Sequence, residues 1–185
     1  MIEDILRQSE SKMSKSIEVL EHDLGAIRTG RASSTLVEHL SVDYFGTSTP
    51  LNQLASISVQ DAKVIMIQPW DKQAMGEVEK AILKSDLGLT PNNDGTSIRL
   101  NIPPLTEERR RDLAKVVRKR VEESKVAVRN IRRDGVEGLR GLEKDKEISQ
   151  DEQRRAQEQI QKVTDTHCAK ADETGARKEA ELMEV

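Results

Sequence analysis

The sequence has few aromatic residues, a single cysteine and no long apolar run. Only 2% of its 185 residues are aromatic, and Cys168 is the one cysteine. A single cysteine excludes an internal disulfide and a cysteine-rich zinc site, and it favours a reducing compartment. No apolar run approaches the roughly 18 residues that span a bilayer, and the first residues lack the basic and apolar regions of a secretory signal. We therefore expect a cytoplasmic protein without a membrane segment.

The composition favours helices that each bury one apolar stripe, rather than a broad globular core. Charged residues make up 34% of the chain and hydrophobic residues 35%, with a formal net charge of −3. Such a composition is ordinary for long amphipathic helices. Because the whole chain is not a polycation, any nucleic-acid contact must come from a local cluster of basic residues.

Prolines and aromatics divide the chain into three segments. All five prolines lie between positions 50 and 104, and the aromatics Tyr44, Phe45 and Trp70 fall in the same region. Proline breaks helix interiors, whereas aromatic residues favour sheets. The flanks 1–29 and 105–185 are therefore predicted to form helices, and residues 31–103 an inserted, β-rich head domain.

The first flank carries a coiled-coil-like apolar repeat. Its members are Leu6, Met13, Ile17, Leu20, Leu24 and Ile27. Spacings of four and three residues are typical of a bundle seam. We expect this helix to end at the Thr29-Gly30-Arg31 break, because glycine is a common helix terminator.

Two further long helices are predicted in the second flank. One starts after Pro103-Pro104 with Thr106 as its N-cap; the other opens with Ser149-Gln150-Asp151-Glu152, a capping-box pattern. Their apolar positions recur with helical spacing, and the register is lost around residues 144–147. Long amphipathic helices need partners, so the fold class is predicted to be α+β, an elongated three-helix bundle with the inserted head domain.

The head segment alternates between strand patterns and turn residues. Strands are predicted around residues 40–44, 57–59, 65–67 and 98–102, a helix over 71–85 and a turn at 91–95. Two connections join head and bundle. They are Thr29-Gly30-Arg31 and Pro103-Pro104-Leu105, which we interpret as a hinge because glycine permits large backbone changes and proline stops the helices from extending.

Basic residues cluster on the second long helix. Residues 105–133 contain eleven basic and five acidic side chains. At about 100° per residue, seven of these basic residues and Arg140 form one row beside the apolar face. This cationic stripe consists of Arg111, Lys115, Arg118, Lys125, Arg129, Arg132, Arg133 and Arg140. Such a row can neutralise successive phosphates, although it could equally be a solvated bundle face balanced by acids on neighbouring helices.

No catalytic or cofactor-binding constellation is recognisable. His22, His39 and His167 lie in different segments, and the sequence has no phosphate-binding glycine loop or metal-spaced His/Cys cluster. His167 is on the apolar face of the third helix, where a structural role inside the bundle is expected. We therefore predict no cofactor, no metal and no catalytic residue.

Glycines interrupt the second long helix near its end. Gly135, Gly138 and Gly141 each cost about 1 kcal/mol relative to alanine in a helix interior. This spacing predicts a softer distal end of the helix.

Several motifs resemble those of ribosome recycling factors, in the same order and over nearly the whole chain. They are Ile27-Arg28-Thr29-Gly30-Arg31-Ala32-Ser33, Tyr44-Phe45-Gly46-Thr47, Leu54-Ala55-Ser56-Ile57, Ser85-Asp86-Leu87-Gly88-Leu89, Pro103-Pro104-Leu105-Thr106-Glu107-Glu108-Arg109-Arg110, Val126-Ala127-Val128-Arg129-Asn130-Ile131-Arg132-Arg133-Asp134 and Asp145-Lys146-Glu147-Ile148-Ser149. The resemblance implies an L-shaped, monomeric, two-domain protein that is not an enzyme.

The same resemblance implies a function and a set of contacts. The protein would bind the post-termination ribosome through large-subunit ribosomal RNA and, with elongation factor G and its GTP hydrolysis, separate the subunits and release the mRNA. The implied RNA contacts fall on Arg129, Arg132 and Arg133, and further on Arg28, Arg31 and Arg110. Lys125 and Arg118 join them as members of the cationic stripe.

Two other functions are compatible with the residues alone. One is a coiled-coil interaction protein or holdase whose basic face is incidental; its binding would persist at high salt. The other is a hydrolase, which would need His167 or Cys168 to meet a carboxylate.

Overall fold

The structure is a computed structural model that describes residues 1–184, and the chain falls into two compact units. One unit combines Met1–Leu24 with Ala114–Ala180. The other combines Gly25–Leu113 with the chain end from Glu181. The predicted domain ranges, 1–29 with 105–185 and 31–103, and the predicted hinges remain predictions.

Within residues 1–184, four helices and six strands follow one another. They are α1 (Ile2–Gly25), β1 (Ser41–Tyr44), β2 (Thr47–Pro50), β3 (Ala55–Asp61), β4 (Val64–Pro69), α2 (Met75–Lys84), β5 (Pro91–Asn93), β6 (Ile98–Asn101), α3 (Glu107–Lys144) and α4 (Gln150–Met183). Short 3₁₀ turns lie at Ser34–Leu36, Leu51–Gln53 and Lys72–Ala74. The fold class is thus α+β, with a helical bundle part and a small β domain, as predicted.

The helical unit packs α1, α3 and α4 around a shared apolar core. The seam residues Met13, Ile17, Leu20 and Leu24 of α1 are buried. At one end Leu139, Ala156 and Ile160 form a buried cluster against which Ile2, Ile5, Leu6 and Val136 pack. All three helices contribute to this cluster, which confirms the predicted three-helix packing.

The helix starts agree with the predicted caps. Thr106 Oγ1 accepts a hydrogen bond from the Arg109 backbone N–H at 3.1 Å. Ser149 and Glu152 form the reciprocal capping box, with bonds of 2.7 and 3.1 Å. The bond from the Ser149 backbone N–H lowers the pKa of the Glu152 carboxyl, because it stabilises the ionised form.

The first helix ends earlier than predicted. It stops at Gly25 and not at Gly30. Thr35 Oγ1 donates a hydrogen bond to the Gly25 carbonyl at 3.4 Å, so a residue ten positions later satisfies this terminal group. Ile27 consequently lies outside the helix that its spacing suggested.

The β unit contains a two-stranded and a four-stranded sheet, both antiparallel. β1 pairs with β2, and the larger sheet has the order β3-β4-β6-β5. Met75, Val78 and Ile82 of α2 are buried and belong to one core cluster with Ile65, Ile67, Ile98 and Leu100 of the sheet. This cluster gives the small unit an apolar core of its own.

Three local predictions in this unit need correction. Residues 91–93 form the edge strand β5, where the missing N–H of Pro91 is tolerated, and the turn is limited to the residues that follow. β2 was not predicted, because its residues Thr47–Pro50 show no apolar alternation. The predicted helix over 71–85 begins as a 3₁₀ turn, and its α-helical part starts at Met75.

Within residues 1–184 no helix is both long enough and apolar enough to cross a membrane.

Candidate nucleic-acid interface

Three members of the cationic stripe on α3, namely Arg118, Lys125 and Arg132, contact side chains of α4. Arg118 Nε contacts Glu179 Oε1 at 2.6 Å, and Lys125 Nζ contacts Asp172 Oδ1 at 3.1 Å. Arg118 and Lys125 are seven residues apart in sequence, and so are Asp172 and Glu179. The later cation pairs with the earlier carboxylate, as expected for helices that run in opposite directions. The two antiparallel helices therefore carry an ion-pair ladder of the kind seen beside coiled-coil seams.

The ladder changes at its third position. Arg132 Nη1 donates to Gln161 Oε1 at 2.6 Å, and Gln161 Nε2 donates to Asp165 Oδ1 at 2.9 Å. Gln161 thus separates the guanidinium from the carboxylate that the seven-residue spacing places opposite it. Arg132 Nε is buried and has no hydrogen-bond partner within the described residues. Arg132 therefore keeps a positive charge that no direct ion pair offsets.

Two neighbouring clefts open beside Arg132. The larger, of about 290 Å³, is lined by Lys125, Arg129, Arg132, Gln161, Thr164, Asp165, Cys168 and Asp172. The smaller, of about 170 Å³, is lined by Arg132, Arg133, Val136, Glu137, Arg140 and Gln157. Arg132 belongs to both, so four arginines surround a concave surface on one stretch of α3. A concave arginine-rich surface is suited to bind phosphate oxygens.

The arginines around these clefts are accessible to an anion. Arg133 and Arg140 are exposed, and half of the Arg129 side chain is exposed although it contacts Glu122 at 3.3 Å. Exposed ion pairs of this kind contribute only about 0–1 kcal/mol, so a phosphate can displace Glu122. The stretch 129–140 is the open part of the stripe.

Three other predicted RNA contacts lie in the second unit and line neither cleft. Arg31 forms an ion pair with Glu184 at 3.0 Å. Arg110 is half-buried, and its Nε has no partner within residues 1–184. Arg28 is also half-buried. Their role as RNA contacts remains a prediction.

The predicted hinge residues have distinct surroundings. Thr29 is buried, and its hydroxyl oxygen accepts from the Arg31 backbone N–H at 3.2 Å. A Cβ added at Gly30 would meet no described atom within 4 Å. Pro103 and Pro104 are exposed, while Leu105 is buried.

His167 has the structural role that the apolar face of its helix predicts. Its Nδ1 lies 2.8 Å from the Val163 carbonyl, which can only accept, so Nδ1 carries the proton. Nε2 lies within hydrogen-bond distance of the Ser14 hydroxyl, at 3.2 Å. The ring is 4% exposed, and both nitrogens are satisfied inside the bundle.

Cys168 lies at the larger cleft but is a poor nucleophile. Burial raises the pKa of its thiol, and this effect outweighs the opposing influence of Arg129 and Lys125. A protonated thiol reacts slowly. Residues 1–184 contain no group of three or more His, Cys, Asp or Glu side chains placed to hold a metal ion.

The sequence did not lead us to the side chains of α4 that accept hydrogen bonds or form ion pairs with the cationic stripe. They are Gln161, Asp165, Asp172 and Glu179. The signal is present, because the three acids recur every seven residues and so do Arg118, Lys125 and Arg132. Two seven-residue series of opposite charge on neighbouring antiparallel helices predict cross-helix pairing.

Comparison with protein families identifies the family of this chain. The family model described as "Ribosome recycling factor" matches residues 20–183. The chain belongs to the ribosome recycling factor family. Similar family members include the ribosome-recycling factors of Dehalococcoides mccartyi strain CBDB1, 58% identical over 185 residues, and of Geobacillus kaustophilus strain HTA426, 55% identical over 185 residues; in each case the match covers 100% of both chains.

Solved structures of family members have the same fold. A solution structure of the ribosome recycling factor superposes with a TM-score of 0.80 at 42% identity, covering 100% of this chain and 98% of the other. The Thermus thermophilus ribosome recycling factor, described with Escherichia coli elongation factor G bound to the E. coli post-termination complex, matches with a TM-score of 0.70 at 47% identity over 100% of both chains. Family membership favours the RNA-docking hypothesis over a holdase or a hydrolase.

Proposed function

We propose that this protein promotes ribosome recycling. It binds the post-termination ribosome through large-subunit RNA and, together with elongation factor G, separates the subunits and releases the mRNA. The energy comes from GTP hydrolysis by the partner. The observation that carries this proposal is the arginine-lined surface around Arg132, in a chain whose whole length matches the family.

The RNA-binding role belongs first to Arg129, Arg132 and Arg133. These side chains are concentrated where the ion-pair ladder ends, so their charge is available to phosphates. Lys125 and Arg118 extend the surface along α3, and Arg28, Arg31 and Arg110 add contacts from the other unit. Aromatic residues are absent from α3, which favours recognition of RNA backbone and shape over stacking on bases.

The protein acts as a non-enzymatic, cytoplasmic monomer without a cofactor. The internally bonded His167 and the protonated Cys168 support this proposal, since neither is prepared for nucleophilic or acid–base chemistry. The ribosome, its site of action, supports the cytoplasmic location. The helical rod of residues 1–29 and 105–185 supplies affinity, and the head of residues 31–103 transmits movement through the hinges at 29–31 and 103–105.

The replacement Arg132→Ala tests the RNA-binding role. Loss of one phosphate contact should lower ribosome affinity roughly five- to tenfold near 0.1 M salt and make the dependence of log K on log salt shallower by about 0.7–0.9. Co-sedimentation with ribosomes across a salt series measures both quantities.

Arg7→Ala is the matched control, because it removes the same charge from an exposed side chain on α1 whose ion pair is with Asp4 of the same helix. It should leave the salt dependence unchanged. Equal affinities of Arg132→Ala and the unmodified protein at every salt concentration would contradict the assignment.

A further inference from the structure

The carboxylates of the ion-pair ladder are arranged to affect RNA binding more than stability. Glu179 and Asp172 each contact one cation of the stripe, at 2.6 and 3.1 Å. In each pair one side chain is exposed, Asp172 by 58% and Arg118 by 72%, while its partner is more buried, with Lys125 19% and Glu179 30% exposed. Ion pairs with this exposure stabilise a fold only weakly. Their negative charges, however, stand where an RNA backbone would approach the stripe.

The ladder divides the stripe into two parts. Over Arg118 and Lys125 a carboxylate from α4 already occupies the position that a phosphate would take. At Arg132 the pairing with a carboxylate of α4 stops, because Gln161 accepts from the Arg132 guanidinium and donates to Asp165. Arg129 pairs only with Glu122 of its own helix, through an exposed contact of 3.3 Å. The masked and the open part lie on one continuous helix.

We propose that Asp172 and Glu179 are specificity-determining residues that act as built-in phosphate substitutes. They suppress binding of arbitrary RNA, which needs only a row of cations, while leaving the open arginines for an RNA whose shape presents phosphates there. Discrimination by unfavourable charge contacts is a general route to specificity. The inference rests on the proposed function, because it concerns selectivity at the same surface.

The physical expectation follows from counterion release. Each cation freed for a phosphate contact raises the salt slope for single-stranded nucleic acid by about 0.7, which corresponds to roughly fivefold tighter binding at ~0.1 M salt. Release of Arg118 and Lys125 therefore has a measurable effect on nonspecific RNA. A ribosomal site whose contacts fall first on Arg129, Arg132 and Arg133 should gain less affinity than a single strand that can follow the whole stripe.

The test compares two double variants of the full chain. Asp172→Asn/Glu179→Gln removes the ladder carboxylates. Glu158→Gln/Glu173→Gln makes the same change in net charge on α4, but its carboxylates contact Arg154 and Arg177 of the same helix. Thermal melting by circular dichroism verifies that both variants are folded.

Binding of a fluorescent oligouridylate is measured by anisotropy over a salt series, and ribosome binding by co-sedimentation. The ladder variant should bind oligouridylate about fivefold more tightly per removed carboxylate, with a steeper salt slope. The control should keep its slope and its ribosome affinity, and any gain in ribosome affinity of the ladder variant should be smaller than its gain for oligouridylate. The ratio of ribosome to oligouridylate affinity should therefore fall only in the ladder variant.

Equal oligouridylate binding by the two double variants would overturn the inference, because charge and not placement would then account for the effect. So would a rise in ribosome affinity by the same factor as the rise for oligouridylate. Failure of the proposed function is a different result, namely that the unmodified protein does not bind ribosomes. The oligouridylate comparison does not depend on that outcome.

Discussion

Two glycines occupy positions where helices approach too closely for a side chain. A Cβ at Gly135 would lie 2.8 Å from Ser9 Oγ and 2.9 Å from Ile160 Cδ1. A Cβ at Gly175 would overlap the Val121 side chain. In contrast, a Cβ at Gly141 would meet no described atom within 4 Å. Close packing is therefore the structural reason for Gly135 and Gly175, whereas Gly141 only lowers helix propensity.

Replacement by alanine should change the stability of the protein in opposite directions at Gly175 and Gly141. Gly175→Ala should destabilise the protein by about 1–3 kcal/mol, because the β-branched Val121 has little rotamer freedom to move away. Gly141→Ala should stabilise it by up to about 1 kcal/mol through helix propensity. Urea unfolding at constant pH measures both changes, and effects of the same sign at the two positions would contradict this interpretation of the packing.

At the scale of elements, a single carboxylate organises the turn between β5 and β6. Asp94 Oδ1 accepts from the backbone N–H groups of Thr96 and Ser97 at 3.0 and 2.8 Å, and Oδ2 accepts from the Ser97 hydroxyl at 3.0 Å. These bonds, the backbone N–H of Thr96 foremost, hold the pKa of the Asp94 carboxyl far below its ordinary value. The ionised form is therefore the one that stabilises the turn.

The stability contributed by Asp94 should depend on pH. A carboxyl whose pKa is lower in the folded state stabilises the protein fully above its unfolded pKa of about 3.9. The contribution is lost as pH falls through that value toward the folded pKa. Asp94→Asn should thus be less stable than the unmodified protein at pH 7, and the difference should shrink below about pH 4.

Thermal unfolding of both proteins from pH 7 down to pH 3 measures this difference. Asp61→Asn is a useful control, since Asp61 also accepts a backbone N–H, from Lys63 at 2.8 Å, but makes fewer such bonds. A pH-independent gap between Asp94→Asn and the unmodified protein would rule out ionisation of Asp94 as the cause.

The α3–α4 pair combines packing with electrostatics. Gly175 lies between Asp172 and Glu179 in sequence, and its missing side chain lets α4 approach Val121 of α3. Glu179 and Asp172 then come within reach of Arg118 and Lys125 on either side. The close approach and the two ion pairs therefore lie on the same stretch of the helix pair.

At the scale of the whole molecule, the proposed hinge links binding to movement. A Cβ at Gly30 would meet no described atom within 4 Å, so the first side-chain atom of a valine causes no clash there. Gly30→Val should instead restrict backbone rotation, because a β-branched residue has fewer accessible conformations. We expect subunit splitting to fall more than ribosome affinity, with Gly30→Ala intermediate.

A polysome-breakdown assay with elongation factor G and GTP measures splitting, and co-sedimentation measures binding. A parallel loss of both activities in Gly30→Val would argue against a separate role of the hinge.

Local sequence was sufficient to predict the features that depend on neighbouring residues. The spacing of apolar residues indicated the three long helices, and Thr106 and Ser149 indicated where two of them begin. The position of His167 on an apolar face indicated its place inside the bundle. Period-two alternation indicated β1, β3, β4 and β6. These signals are local because helix caps and amphipathic faces are formed by residues a few positions apart.

Other features depend on which distant residues meet in the folded chain. The Gly25 carbonyl at the end of α1 accepts a hydrogen bond from Thr35, ten residues later, and β2 and β5 each pair with a partner strand. The cationic stripe was visible on α3, but its division into a masked and an open part depends on the acids and Gln161 of α4. The position of a charge on a helix follows from its place in the sequence, whereas its availability to RNA is determined by the residues packed beside it.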